Sequence, residues 1–215
     1  GEGEGEGEGE PQEGCPMGAL FGQRPHAPGE SWSFAEVTFP VGYMNAFETF
    51  SGVSGTITEV HWWGFFVSGE SACTPVDYVF RIRFHGSDPE YVGSLESDEI
   101  VTPTMTDTGL TYGVHTLYRF EAALTTPVNL ASGYLEVWLM DETCAFGWAS
   151  SPEGDGQYIE QQEVFFNPAA PDLAFCLLGT AGEGEGEGEG EPGPVEPCPP
   201  NTLYGQGPWA PDGAW

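Results

Sequence analysis

The chain has 215 residues, with 34 acidic side chains against four arginines, no lysine and a formal net charge of −30. A field of that sign repels phosphate backbones and anionic headgroups, which argues against nucleic-acid and membrane-surface partners. No apolar stretch reaches the roughly eighteen residues a spanning helix needs, so no membrane insertion is expected.

Residues 1–10 alternate Gly and Glu, and the same run returns at 182–191. Composition alone predicts flexible, charge-extended spacers. The period of two allows a second reading. In an extended strand every glutamate would fall on one face, leaving a bare glycine face to lie against a neighbour's aromatic surface. These runs divide the chain into a linker at 1–13, a domain at 14–181, a linker at 182–197 and a segment at 198–215. The domain is long enough to bury roughly 70% of the surface its unfolded chain exposes.

A second repeat lies just after each run. Cys15 to Trp32 and Cys198 to Trp215 align without a gap and agree at Cys, Pro, Leu, Gly, Gln, Pro, Ala, Pro and Trp. Cys198, Leu203 and Trp215 therefore stand where Cys15, Leu20 and Trp32 stand in the first copy. The segment at 198–215 is expected to be the N-terminal strand of a next repeat, or a strand donated to another subunit. Such an arrangement points to an array or fibre.

Helical periodicity is almost absent. Short runs rich in Val, Ile, Thr and aromatics alternate with Gly, Pro, Asp and Ser. They predict strands near Trp32–Val41, Ala46–Phe50, Thr56–Val67, Val79–His85, Ile100–Thr106, His115–Leu124, Gly133–Leu139, Phe146–Ala149, Tyr158–Phe166 and Leu173–Leu178. In the fourth, Phe80, Ile82 and Phe84 share one face while Arg81 and Arg83 take the other. In the sixth, Tyr118, Phe120 and Ala122 form the apolar face. The expected fold is all-β, a two-sheet antiparallel sandwich of jelly-roll type.

Cys15, Cys73, Cys144 and Cys176 lie in the domain, an even number, and none is in a CxxC pair, which weakens zinc and redox-motif readings. The favoured pairing is Cys15–Cys176, tying the first strand to the last, with Cys73–Cys144. Each bridge would add on the order of 4 kcal/mol. Disulfides imply an oxidising, extracellular compartment, whereas four buried free thiols would imply the cytosol.

Three stretches carry a resemblance: Thr56-Ile-Thr-Glu-Val-His-Trp-Trp-Gly64, Ala145-Phe-Gly-Trp-Ala-Ser-Ser-Pro152 with Gly154-Asp-Gly156, and Asp172-Leu-Ala-Phe-Cys-Leu177. In content and order they resemble an uncharacterised, secreted bacterial β-sandwich domain. That domain is common in exported and surface-anchored proteins, often in tandem. The resemblance covers roughly residues 43–178. It implies a β-sandwich and export, and it brings no catalytic residues. One departure is Ala46-Phe-Glu-Thr-Phe50, which stands where these domains more often carry an Asp-rich segment, so no metal role is transferred there.

Candidate binding residues are few. His61-Trp62-Trp63-Gly64 is the densest aromatic point, and an exposed tryptophan there would suit sugar stacking. Neighbours in a strand face opposite ways, however, so at most one of Trp62 and Trp63 could serve, and large aromatics in strands usually pack. Trp32, Trp138 and Trp148 are read as packing residues. The acidic turns with Glu153 and Asp155, and with Asp141 and Glu142, could offer oxygen ligands to Ca²⁺. Solvated acids in turns are the plainer reading. No nucleophile elbow, zincin motif or phosphate loop occurs, and the four histidines have no metal-ligand spacing, so no enzyme is expected and no cofactor beyond Ca²⁺. Two functions remain. One is a structural repeat of a secreted bacterial fibre or cell-surface array, acting by self-association and spacing. The other is an extracellular carbohydrate-binding or adhesive module using an exposed tryptophan.

Overall fold

A computed structural model describes residues 13–182 apart from residue 28, 38–43, 68–77, 89–91, 141–143 and 163–164. Among the described residues there are thirteen strands and no helix. The first sheet contains β1 (Phe21–Gln23), β2 (Phe34–Glu36), β4 (Gly55–Val67), β7 (Thr104–Tyr112), β8 (His115–Val128), β10 (Ala145–Ala149) and β13 (Phe175–Ala181). Its order is β1-β13-β4-β10-β2, with β8 also paired to β4 and β7 to β8. The second sheet contains β3 (Met44–Ser51), β5 (Phe80–Ser87), β6 (Val92–Val101), β9 (Ser132–Leu139), β11 (Tyr158–Gln162) and β12 (Phe165–Ala169). Its order is β12-β11-β3-β9-β5-β6. Every pairing between these strands is antiparallel. The expected antiparallel sandwich is the fold.

The alternation in β5 explains how the sheets meet. Phe80, Ile82 and Phe84 are buried while Arg81 and Arg83 face outward. On β4 the even positions Val60, Trp62 and Phe66 enter the same core. The Trp62 ring stacks on Phe120 with centroids 5.5 Å apart, and meets Phe80 of the opposite sheet edge-on at 5.2 Å. Phe146 closes the group 5.0 Å from Phe80. Such aromatic pairs add about 0.5–1.5 kcal/mol each beyond the area they bury, so this cluster fixes the sheet spacing.

The odd positions of β4 form a second, smaller core on the outer face. Trp63 and Phe65 pack there with Tyr112, Leu117, Ala149, Ala174 and Cys176. A sandwich face that would otherwise be wet is apolar here because another part of the chain covers it.

Two expected strands are each two strands, the first pair lying in different sheets and the second forming a hairpin. The run at Ile100–Thr106 divides into the end of β6 and the start of β7, separated by Thr102 and Pro103, and proline has no N–H to continue a ladder. The run at Tyr158–Phe166 divides into β11 and β12, with Gln162 paired to Phe165. No Gly or Pro stands between those two residues to signal the reversal.

Candidate functional site

The cover over the outer core is the N-terminal segment. Cys15 is bonded to Cys176 of β13, as expected, with the two Cα atoms 5.6 Å apart. Leu20 donates its N–H to the Leu177 carbonyl at 2.8 Å, and β1 then runs antiparallel to β13. Trp32 stacks on Tyr112 at 4.9 Å and meets Phe65 edge-on at 5.8 Å. Glu13 anchors the other end: its Oε2 accepts from Trp63 Nε1 and from Arg119 Nη1, both at 3.2 Å. The described residues of 13–32 thus form a strap tied by one disulfide, one strand ladder and the carboxylates of Glu13 and Glu153.

The strap explains which positions recur in the second copy. Cys15 makes the disulfide, Leu20 packs against the main core, Gln23 is 2% exposed and Trp32 sits on Tyr112. Gly22 is confined by the disulfide, because a Cβ there would lie 2.2 Å from Cys15 Sγ. All five are identical at Cys198, Leu203, Gln206, Trp215 and Gly205. Two glycines are replaced, and both replacements suit the backbone. Gly18 and Gly29 have φ of 88° and 87°. Their counterparts are Asn201 and Asp212, the residue types that most readily enter the left-handed region after glycine. Glu13 itself recurs as Glu196. Met17, which is fully exposed, becomes Pro200. By composition Glu13 belongs to the linker, and only its contacts reveal it as part of the domain.

Cys144 is also disulfide-bonded. Its expected partner Cys73 lies outside the described residues, as do Asp141, Glu142, Cys198, Leu203, Trp215 and both Gly-Glu runs apart from Gly182.

Trp62 and Trp63 have no exposed surface. One belongs to the main core and the other to the covered outer core, so neither can stack on a sugar. Strand alternation alone would leave one of them free. The strap covers that second face and buries it too. Trp138 is half-buried, with Arg83 above its ring at 4.7 Å and Arg81 at 5.5 Å. Arg81 is held by Asp98, and Arg83 lies 3.3 Å from the same carboxylate.

The acidic turn at 151–157 is a structural junction. Asp172 is buried and accepts the backbone N–H groups of Asp155, Gly156 and Gln157 at 2.8–3.2 Å. Burial raises its pKa, with the neighbouring Asp155 adding to the rise and the amides opposing it. Glu153 is engaged by Arg24, whose N–H donates at 2.9 Å and whose Nε lies 3.3 Å away. Asp155 Oδ1 accepts the Gln157 N–H at 3.1 Å. Glu153 and Asp155 are thus occupied in holding the turn and joining it to the strap.

One buried acid has no signal in the sequence. Glu48 lies on the core face of β3 between Ala46 and Phe50, and has no exposed surface. Burial pushes its pKa up to about 9, against the pull of the Leu173 and Thr49 amides. A glutamate inside an apolar strand pattern reads as an exposed residue, and only the partner supplied by Leu173 makes it intelligible. Among the described residues, Glu59, His61 and Glu121 are the set of metal-ligand side chains whose donor atoms converge.

No protein-family model, curated protein or solved structure matches this chain. Fold and site together define a disulfide-closed β-sandwich module with a strapped outer face.

Proposed function

We propose that the chain is part of a secreted bacterial structural protein, in which strapped sandwiches alternate with Gly-Glu spacers to build an extracellular fibre or surface array. The carrying observation is the match between the strap and residues 198–215. The anchors Cys15, Leu20, Gly22, Gln23 and Trp32 are kept, left-handed glycines become Asn and Asp, and a fully exposed residue is free to change. That pattern is what a second copy of the same sandwich requires at its start. Drift of a linker would not preserve it.

The mechanical sense comes from topology. Cys15 bonds to the last strand, so the module is closed between its first and last elements, and tension on both flanking spacers would load the disulfide and the β1–β13 ladder. The disulfides and the large negative charge suit an oxidising, aqueous exterior. The order of the three motif stretches, resembling a secreted sandwich domain, supports the same placement.

Electron microscopy and sedimentation velocity on protein purified without reductant test this reading. Strings or filaments are expected. A monodisperse monomer at all concentrations, binding a glycan in an array screen, overturns it in favour of a carbohydrate-binding module.

A further inference from the structure

The outer face of the first sheet holds a further polar group beside Arg119, which joins it to Glu13 of the strap. Glu59 and His61 are two apart on β4 and so share a face, and Glu121 on β8 is the direct cross-strand partner of His61. Their donor atoms all lie within 4.8 Å of one another. His61 Nε2 is 2.7 Å from Glu59 Oε1. The imidazole side chain is only 6% exposed, while the Glu59 and Glu121 side chains are 39% and 27% exposed. Its Nδ1 is buried and has no hydrogen-bond partner.

We propose that Glu59, His61 and Glu121 bind a divalent transition cation, with Zn²⁺ as the natural probe. The donor set is one imidazole nitrogen and two carboxylate oxygens, which zinc takes at about 2.0–2.2 Å. A cation at Nε2 would sit between the two carboxylates, with the ring proton on Nδ1. Ligand atoms around a tetrahedral ion sit about 3.4 Å apart, so Glu59 Oε1 would move out from its 2.7 Å approach to His61 and the wider separations, within 4.8 Å, would close, which the exposure of both carboxylates permits. Arg119 Nε donates to Glu121 Oε1 at 2.7 Å, which orients that carboxylate and leaves Oε2 for the metal. Three protein ligands leave a coordination position open to water.

The site is held by the sheet. His61 is flanked by Cys176 on β13 and by Glu121 on β8, so the ligand positions are spaced by backbone ladders, and the disulfide to the strap is anchored on the adjacent strand.

The test is calorimetric titration of the intact chain with Zn²⁺ in a buffer containing a weak chelator, so that the many glutamates of the Gly-Glu runs do not register. One tight equivalent is expected. Glu121→Gln and His61→Gln should each weaken it by more than tenfold. Circular dichroism checks that each variant folds, and because Glu121 is partly exposed, Glu121→Gln still decides the matter if His61→Gln does not fold. Co²⁺ substitution should give visible absorption that is lost in the same variants. No tight equivalent in the unmodified chain, or an equivalent unchanged in Glu121→Gln, overturns the proposal; the second result would direct attention to the other histidines.

Discussion

Glu48 Oε2 accepts the Leu173 N–H at 2.7 Å from a position with no exposed surface, and Oε1 accepts the Thr49 N–H at 3.0 Å. The next residue back from Leu173 is Asp172, which gathers the turn at 155–157. Two adjacent residues therefore tie the second sheet to the acidic turn through carboxyl groups. The junction is polar inside an apolar sandwich, and its protonation state matters.

Stability should fall as pH rises. The folded-state pKa of Glu48 is about 9, against an ordinary value of 4.5. The native state thus holds this proton more tightly than the unfolded chain does. The group's contribution is full below about pH 4.5 and is lost as pH climbs through 9. Glu48→Gln removes the titration. Its amide nitrogen cannot accept the Thr49 N–H, so the variant should lose about 1–2 kcal/mol at pH 5. Urea unfolding at pH 5, 7 and 9 should then give a shallower decline than in the unmodified protein. Parallel curves for the two proteins would show that Glu48 is not the group responsible.

Removing the strap disulfide should cost far more than a surface change. Cys15 and Cys176 are 161 residues apart in sequence, and a loop of that length gives a loss of about 3–5 kcal/mol when opened. Replacing both by Ser should lower the thermal midpoint by on the order of ten degrees. Because Trp63 lies beneath the strap, its fluorescence should shift to the red only if the strap lifts before the sandwich melts. A loss below about 1 kcal/mol would mean that the β1–β13 ladder suffices and that the disulfide is not the closure.

Much of the sandwich is legible because its strands alternate. Phe80, Ile82 and Phe84 announce one buried face, and the disulfide from Cys15 to Cys176 comes from pairing an early cysteine with a late one. Features that depend on tertiary cover are not legible. Trp63 shows the reason: alternation places it outside the main core, and only the strap makes that outside a second interior. Glu13 and Glu48 are hidden for a related reason, since a glutamate carries no sequence mark of the N–H groups it will meet. The β6 strand, Val92–Val101, escapes detection over its polar first half because edge strands need no apolar alternation.

Calcium should leave the melt unchanged. Glu153 is engaged by Arg24 and Asp155 by the Gln157 amide, so an ion at this turn would have to displace both contacts. Thermal midpoints in EDTA and in millimolar calcium are expected to agree within a degree. A rise of several degrees with calcium would show that the turn rearranges around an ion.

The equivalence of the two straps can be tested by transplantation. Residues 15–32 are replaced by the sequence of 198–215, with the rest of the chain untouched. The anchors return as Cys, Leu, Gly, Gln and Trp, and Asn and Asp arrive where φ is 88° and 87°. Three losses are expected, the first at Glu30, which becomes Gly and gives up the Ala27 N–H and Arg24. Arg24 becomes Gly, so the contact with Glu153 disappears, and exposed ion pairs of that kind are worth no more than about 1 kcal/mol. His26 becomes Trp at a position where the side chain is 11% exposed, and the overpacking should cost about 1–3 kcal/mol. Gly22→Ala in the unmodified chain is the contrast, since its Cβ would fall 2.2 Å from Cys15 Sγ and the strap could not close without a backbone shift. The chimera should therefore fold, with the Cys15–Cys176 bond intact by non-reducing peptide mapping, while Gly22→Ala should leave free thiol at those positions. A chimera that stays unfolded, with its disulfide unformed, would mean that residues 198–215 do not open a second copy of this sandwich.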